Sequence, residues 1–165
     1  MTWWVMAWAL RATEHSATPQ WAVIDNQEPV MSNLIQPSVF LRRALVADAL
    51  VSAAAGAVMA LGANLLQGLL AIPSALLLPA GLAFFPYAAY LLWLATRRAV
   101  PRAAVWVPIV LNVLWAVECV LFAFNASPPP TLLGEAFIAS QAIAVLVFAG
   151  LEYSGLRRAC AIVAA

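Results

Sequence analysis

Seven arginines punctuate long stretches that are otherwise almost free of charge: Arg42 and Arg43, then Arg97, Arg98 and Arg102, then Arg157 and Arg158. Between Arg43 and Arg97 the single charged residue is Asp48. That stretch can cross a ~30 Å hydrocarbon core twice at ~20 residues per helix. Between Arg102 and Arg157 a similar length recurs, with Glu118, Glu135 and Glu152 as its only charges. Hydrocarbon offers no partner to an unpaired backbone group, so each crossing must be helical. The pattern predicts an all-α integral membrane four-helix bundle made of two helical hairpins. Its spans, at ~20 residues or slightly more each, fall at about 44–63, 74–96, 103–124 and 132–156. The three arginine clusters then share one side, and the uncharged loops near Asn64 to Ser74 and Asn125 to Thr131 share the other. Arginine excess marks the cytoplasmic face, which gives an N-in/C-in topology for residues 42–158.

Composition narrows the function classes. The chain is 65% hydrophobic and 9% charged, against about a quarter charged in soluble domains. With no lysine and a net charge of +1, neither nucleic acid nor an anionic lipid headgroup cluster finds a basic patch to bind. The single histidine, His15, precedes every span. No haem ligand, histidine metal centre or Ser/His/Asp set can be assembled within the membrane. Cys119 and Cys160 sit at different depths, which argues against a disulfide. The expectation is a chain with no metal, no cofactor and no catalysis of its own.

Residues 1–41 differ from the rest. They hold Glu14, Asp25 and Glu28 and four of the seven tryptophans, Trp3, Trp4, Trp8 and Trp21. Met1 to Leu10 is too short to span and lacks the basic leader and cleavage site of a secretory signal. Two readings stand: an interfacial segment with its indoles at headgroup level on the cytoplasmic side, or a poorly ordered extension, with Met31 as an equally good start. Residues 159–165 read as a short C-terminal tail.

Within the spans, Asp48, Ser52, Gly56 and Ala60 recur every four positions. This small-residue stripe allows close helix packing. Pro79 and Pro86 each remove a backbone donor from the second span. Tyr87, Tyr90 and Trp93 form an aromatic belt before Arg97. The intramembrane polar candidates are Asp48, Asn112, Glu118, Glu135 and Gln141. Asp48 lies five positions beyond Arg43, which places it near the cytoplasmic interface, paired with Arg98 or Arg102. Glu152, about one turn before Arg157, reads as a second interfacial anchor. Glu118 falls roughly 9 Å below the outer end of its helix at a 1.5 Å rise, and Glu135 reaches a comparable depth. If the last two spans are neighbours, these carboxyls meet. Two carboxylates in low dielectric do not both ionise, so the pair would relay a proton or hold a cation. The alternatives are a neutral polar knot with Asn64, Gln67 or Gln141, or an exposed Glu135 at the positive end of its helix.

The hairpins also look alike. Arg43 to Arg98 covers 98 − 43 = 55 positions and Arg102 to Arg158 covers 158 − 102 = 56. They open on Arg43-Ala-Leu-Val and Arg102-Ala-Ala-Val. Either an internal duplication or the shared demands of positive-inside hairpins produces this.

Several runs carry a resemblance: Leu41-Arg42-Arg43-Ala44 with Asp48, Pro86-Tyr87-Ala88-Ala89 leading to Trp93-Leu94-Ala95-Thr96-Arg97, Pro101-Arg102-Ala103-Ala104-Val105-Trp106, Asn112 with Trp115, and Gln141 followed by Phe148-Ala149-Gly150-Leu151-Glu152-Tyr153. From Arg42 to Arg158 the chain resembles small four-helix membrane proteins found in bacteria, a group without an assigned activity. The resemblance implies a four-helix fold and a bacterial inner-membrane address.

These features favour a non-catalytic accessory protein, surrounded by lipid, that packs against a larger membrane complex or against itself. The rival is a small oligomeric transporter or channel for a proton, cation or small solute, using Glu118 and Glu135. A third reading places a lipid- or quinone-type ligand between the second and fourth spans, beside Tyr87, Tyr90 and Trp115.

Overall fold

The computed structural model describes residues 34–163. The expectations for the tryptophan-rich segment before Leu34, including Met31 as a start, lie outside these residues. Five helices follow in order, α1 (Val39–Leu61), α2 (Ala63–Leu70), α3 (Ser74–Thr96), α4 (Arg102–Asn125) and α5 (Leu132–Val163), with two short strands, β1 (Leu34–Ile35) and β2 (Val100–Pro101). All but α2 are long and apolar enough to cross a membrane. The described chain is thus an all-helical, multi-pass membrane fold.

Local chemistry sets the boundaries. Pro37 precedes Ser38, whose Oγ accepts the Leu41 N–H at 3.2 Å and caps α1. Such a cap satisfies one of the orphan donors at a helix start. The first span therefore begins at Val39 rather than Ala44, and Arg42 and Arg43 lie inside its first turns. At the other end of the chain, α5 passes through Arg157 and Arg158 and continues to Val163, so most of the expected tail is helical. The expected loop from Asn64 to Pro73 contains α2. This helix turns Ala63, Leu66 and Leu70 inward and leaves Asn64 and Gln67 exposed, a helical spacing visible in the sequence. It stops at Ala71 in the left-handed region (φ 55°), and the Gln67 Oε1 accepts the Ser74 N–H at 2.7 Å to start α3.

The packing partners are specific. Helix α1 lies mainly along α3, α4 along α5, and α1 also meets α5, whereas α3 and α4 touch little. Two glycines make the α1–α3 crossing close. A Cβ on Gly81 would stand 2.7 Å from the Ala60 amide nitrogen, and one on Gly56 would stand 2.7 Å from the Gly81 carbonyl oxygen. Ser52, Gly56 and Ala60 face this approach along one side of α1, with Ser52 and Gly56 buried.

Each end of the bundle is tied. Arg42 donates from Nη1 to the Ala95 carbonyl at 2.8 Å and from Nη2 to the Arg97 carbonyl at 2.7 Å. A guanidinium there meets the carbonyls and the negative dipole end of α3. Arg158 lies 4.7 Å over the Phe40 ring, and β1 pairs antiparallel with β2 through Leu34 to Pro101 and Ile35 to Val100. These contacts gather the arginine clusters at one end. At the opposite end Thr131 donates from Oγ1 to the Leu69 carbonyl at 2.8 Å and from its amide to the Leu70 carbonyl at 3.0 Å. The two uncharged loops are thereby joined.

Leucines and valines cover the outside. Val107, Val110, Leu114, Val117 and Leu121 of α4 are all exposed, a surface suited to lipid and not to water.

Candidate functional site

Asp48 sits 48 − 39 = 9 residues into α1 and 61 − 48 = 13 from its end, so it is about 14 Å from the helix start at 1.5 Å per residue. It is 0% exposed. Three donors converge on it: Ser52 Oγ–H reaches Oδ1 at 3.0 Å, while Tyr87 O–H and Asn112 Nδ2 both reach Oδ2 at 2.9 Å. These donors come from α1, α3 and α4. Helix α5 adds Glu152, also 0% exposed, whose carboxyl faces Asp48 and Asn112. Every spanning helix contributes to this one cluster.

The cluster is satisfied unevenly. Asp48 accepts three hydrogen bonds, yet neither Glu152 oxygen has a hydrogen-bond partner. A buried polar atom without a partner costs on the order of 1–3 kcal/mol, and more when charged. Two facing carboxylates out of water also repel, and a shared proton or a bound cation removes that repulsion.

Two expectations are corrected here. Asp48 is not held by Arg98 or Arg102; its partners are Ser52, Tyr87 and Asn112. Glu152, expected as an interfacial anchor, instead turns into the bundle and is fully buried. The other pair is also relocated. Glu118 and Glu135 are both exposed and line different hollows. Glu118 borders a cavity of about 250 Å³ with Met59, Leu77, Trp115, Cys119 and Gln141. Glu135, in the first turn of α5, borders a recess beside Val120 and Phe124. Its carboxylate faces the favourable dipole end of that helix. Gln141 is half-buried, while Asn112 is buried and belongs to the Asp48 cluster.

A further hollow, about 180 Å³, opens between α3 and α4 and is lined by Ala80, Ala83, Phe84, Tyr87, Leu111, Asn112 and Trp115. Its polar wall consists of Tyr87 and Asn112, the two residues that hold Asp48 Oδ2. Phe84 and Trp115 meet edge to face at 4.9 Å, and the Trp115 indole N–H is buried without a partner. Tyr90, in contrast, donates to the Ala104 carbonyl at 2.9 Å and ties α3 to α4.

Sequence reasoning passed over Ser52 and Tyr87 as ligands of Asp48, taking one for packing and the other for an interfacial belt. The i, i+4 spacing of Asp48 and Ser52 was the available signal. Both cysteines are free thiols. Arg43, Arg98, Arg102 and Arg157 are exposed around the bundle end, and Arg97 covers the Trp93 ring at 4.8 Å. No protein-family profile, curated protein or solved structure matches this chain.

Proposed function

We propose that this protein is a small transporter or channel that moves a proton or a monovalent cationic solute, with Asp48 and Glu152 as its working carboxyls. The observation that carries this reading is Glu152: fully buried on α5 beside a second fully buried acid, Asp48, where all four spanning helices meet. Carboxyls within a membrane are costly and by default mark ion or proton pathways. A purely structural acid gains donors, as Asp48 does. The accessory-subunit reading draws on the small-residue stripe of α1, the interfacial aromatics and the lack of a reactive constellation, and the stripe is taken up within the chain by the α1–α3 crossing. The bacterial inner membrane, two helical hairpins and a cytoplasmic position for the arginine end complete the proposal, supported by the arginine asymmetry and the resemblance between residues 42 and 158.

The test is flux in liposomes holding the purified chain and a trapped pH-sensitive dye, driven by a potassium diffusion potential. Wild-type protein should carry protons across the membrane under this potential and shift the dye signal, while Glu152→Gln and Asp48→Asn should each slow that flux at least tenfold. Glu118→Gln and Glu135→Gln should run at the wild-type rate. Unchanged flux in Glu152→Gln, or flux lost in Glu118→Gln alone, would sink the assignment.

A further inference from the structure

We infer that the crevice between α3 and α4 is a binding site for a lipophilic ammonium cation that enters sideways from the lipid. This rests on the carboxyl-pair reading above and names the kind of solute.

Three observations converge. First, α3 and α4 pack little against each other, and Ala80 and Ala83 leave a hollow of about 180 Å³ between them. Ala83 and Leu111 of its lining are exposed, so the mouth lies in an apolar surface. That room suits a small organic amine.

Second, the walls are aromatic. Phe84 and Tyr87 from α3 and Trp115 from α4 line the space, and the faces of such rings attract a cation within about 6 Å of the centroid. An ammonium carrying alkyl groups also suits the alanine and leucine lining, since it sheds little hydration on leaving water.

Third, two buried carboxyls lie behind the wall, and no cationic side chain hydrogen-bonds to Asp48. Tyr87 and Asn112 stand between the crevice and Asp48, each 2.9 Å from its Oδ2. Glu152 faces Asp48 from α5 with both oxygens unpaired. A cation in the crevice meets this carboxyl pair across the Tyr87 hydroxyl and the Asn112 amide, in a medium where opposite charges interact far more strongly than in water. A transition-metal ion fits less well, because among the described residues no three His, Cys, Asp or Glu side chains gather, and the aromatic lining of the crevice gives a small hard cation no oxygen shell. Charge complementarity, room and aromatic lining thus select an organic monocation over an inorganic one.

The experiment is calorimetric titration of the full chain in lipid nanodiscs with benzyltrimethylammonium and with neopentylbenzene, its uncharged isostere. The ammonium should bind at least tenfold more tightly than the isostere. Ala83→Leu, which fills the crevice from an exposed position, should weaken ammonium binding at least tenfold, and Asp48→Asn should erase the preference for the charged compound. Ala83→Leu touches no hydrogen bond of the cluster, so it remains decisive even if Asp48→Asn folds poorly. Equal affinity for the two compounds, wild-type affinity in Ala83→Leu, or no ammonium binding at all would each overturn the inference. Proton flux that depends on Glu152 without ammonium binding would remove the crevice site and leave the proposed function standing. Ammonium binding without any flux would do the reverse.

Discussion

Near the arginine end, Leu41, Leu45, Leu91, Leu94 and Leu156 are sealed to 1% exposure or less, and Asp48 and Glu152 are sealed with them. Toward the opposite end the bundle loosens around a cavity of about 250 Å³, and Glu118 and Glu135 remain exposed. Both regions are predominantly apolar. What separates them is convergence: α1 meets both α3 and α5, and Gly155 brings α5 against Leu41, where an added Cβ would stand 3.0 Å from the leucine Cβ. An acid placed where helices converge must find its partners inside the protein. One placed on an outward face does not, whatever its distance along the helix.

The contrast is most exposed to test at the acids themselves. Asp48→Ala leaves the Ser52, Tyr87 and Asn112 donors without their acceptor, and it should destabilise the fold by about 3 kcal/mol. Glu135→Gln, on an exposed first turn, should stay within about 0.5 kcal/mol of wild type. Thermal unfolding in mild detergent measures both, and similar losses for the two would erase the distinction.

A smaller effect is expected from the glycines. Gly81→Ala drives a methyl to 2.7 Å from the Ala60 nitrogen and 2.8 Å from the Gly56 oxygen, so α1 and α3 must separate, at about 2 kcal/mol. Gly150→Ala meets nothing within 4 Å and should be neutral or slightly stabilising, by up to about 1 kcal/mol. The smallest change belongs to the loose end. Ala71 holds a left-handed φ of 55°, so Ala71→Gly relieves local strain and should raise stability by about 0.5 kcal/mol.

The arginines made the number of spans legible, because charge is excluded from hydrocarbon and apolar length is read directly. Helix ends and partners were harder to read. Arg42 and Arg43 lie inside α1, and Arg42 is taken up by the Ala95 and Arg97 carbonyls, so it leaves no ion pair for Asp48. In the same way, Arg157 and Arg158 are inside α5 and not at its end, and Glu152 turns into the bundle. That Asp48 and Glu152 are the acids brought together was hidden for a different reason. Which faces of α1 and α5 meet is settled by small residues on both helices, Gly155 among them, and a single helix pattern does not reveal its partner. Asn112 was visible as a polar residue in an apolar span, whereas Tyr87 was hidden by resembling an interfacial aromatic.

The order of Asp48's partners along the chain has a biosynthetic consequence. Ser52 is on the same helix and emerges with it; Tyr87, Asn112 and Glu152 follow at increasing distance. From Asp48 to Glu152 is 152 − 48 = 104 residues, or about 5–20 s of synthesis at ~5–20 residues per second. During insertion the first acid acquires its donors one helix at a time, and the last helix delivers a second acid to a carboxylate whose donors are already in place. The final helix thus carries the second acid to an Asp48 whose three donors all precede it in the chain.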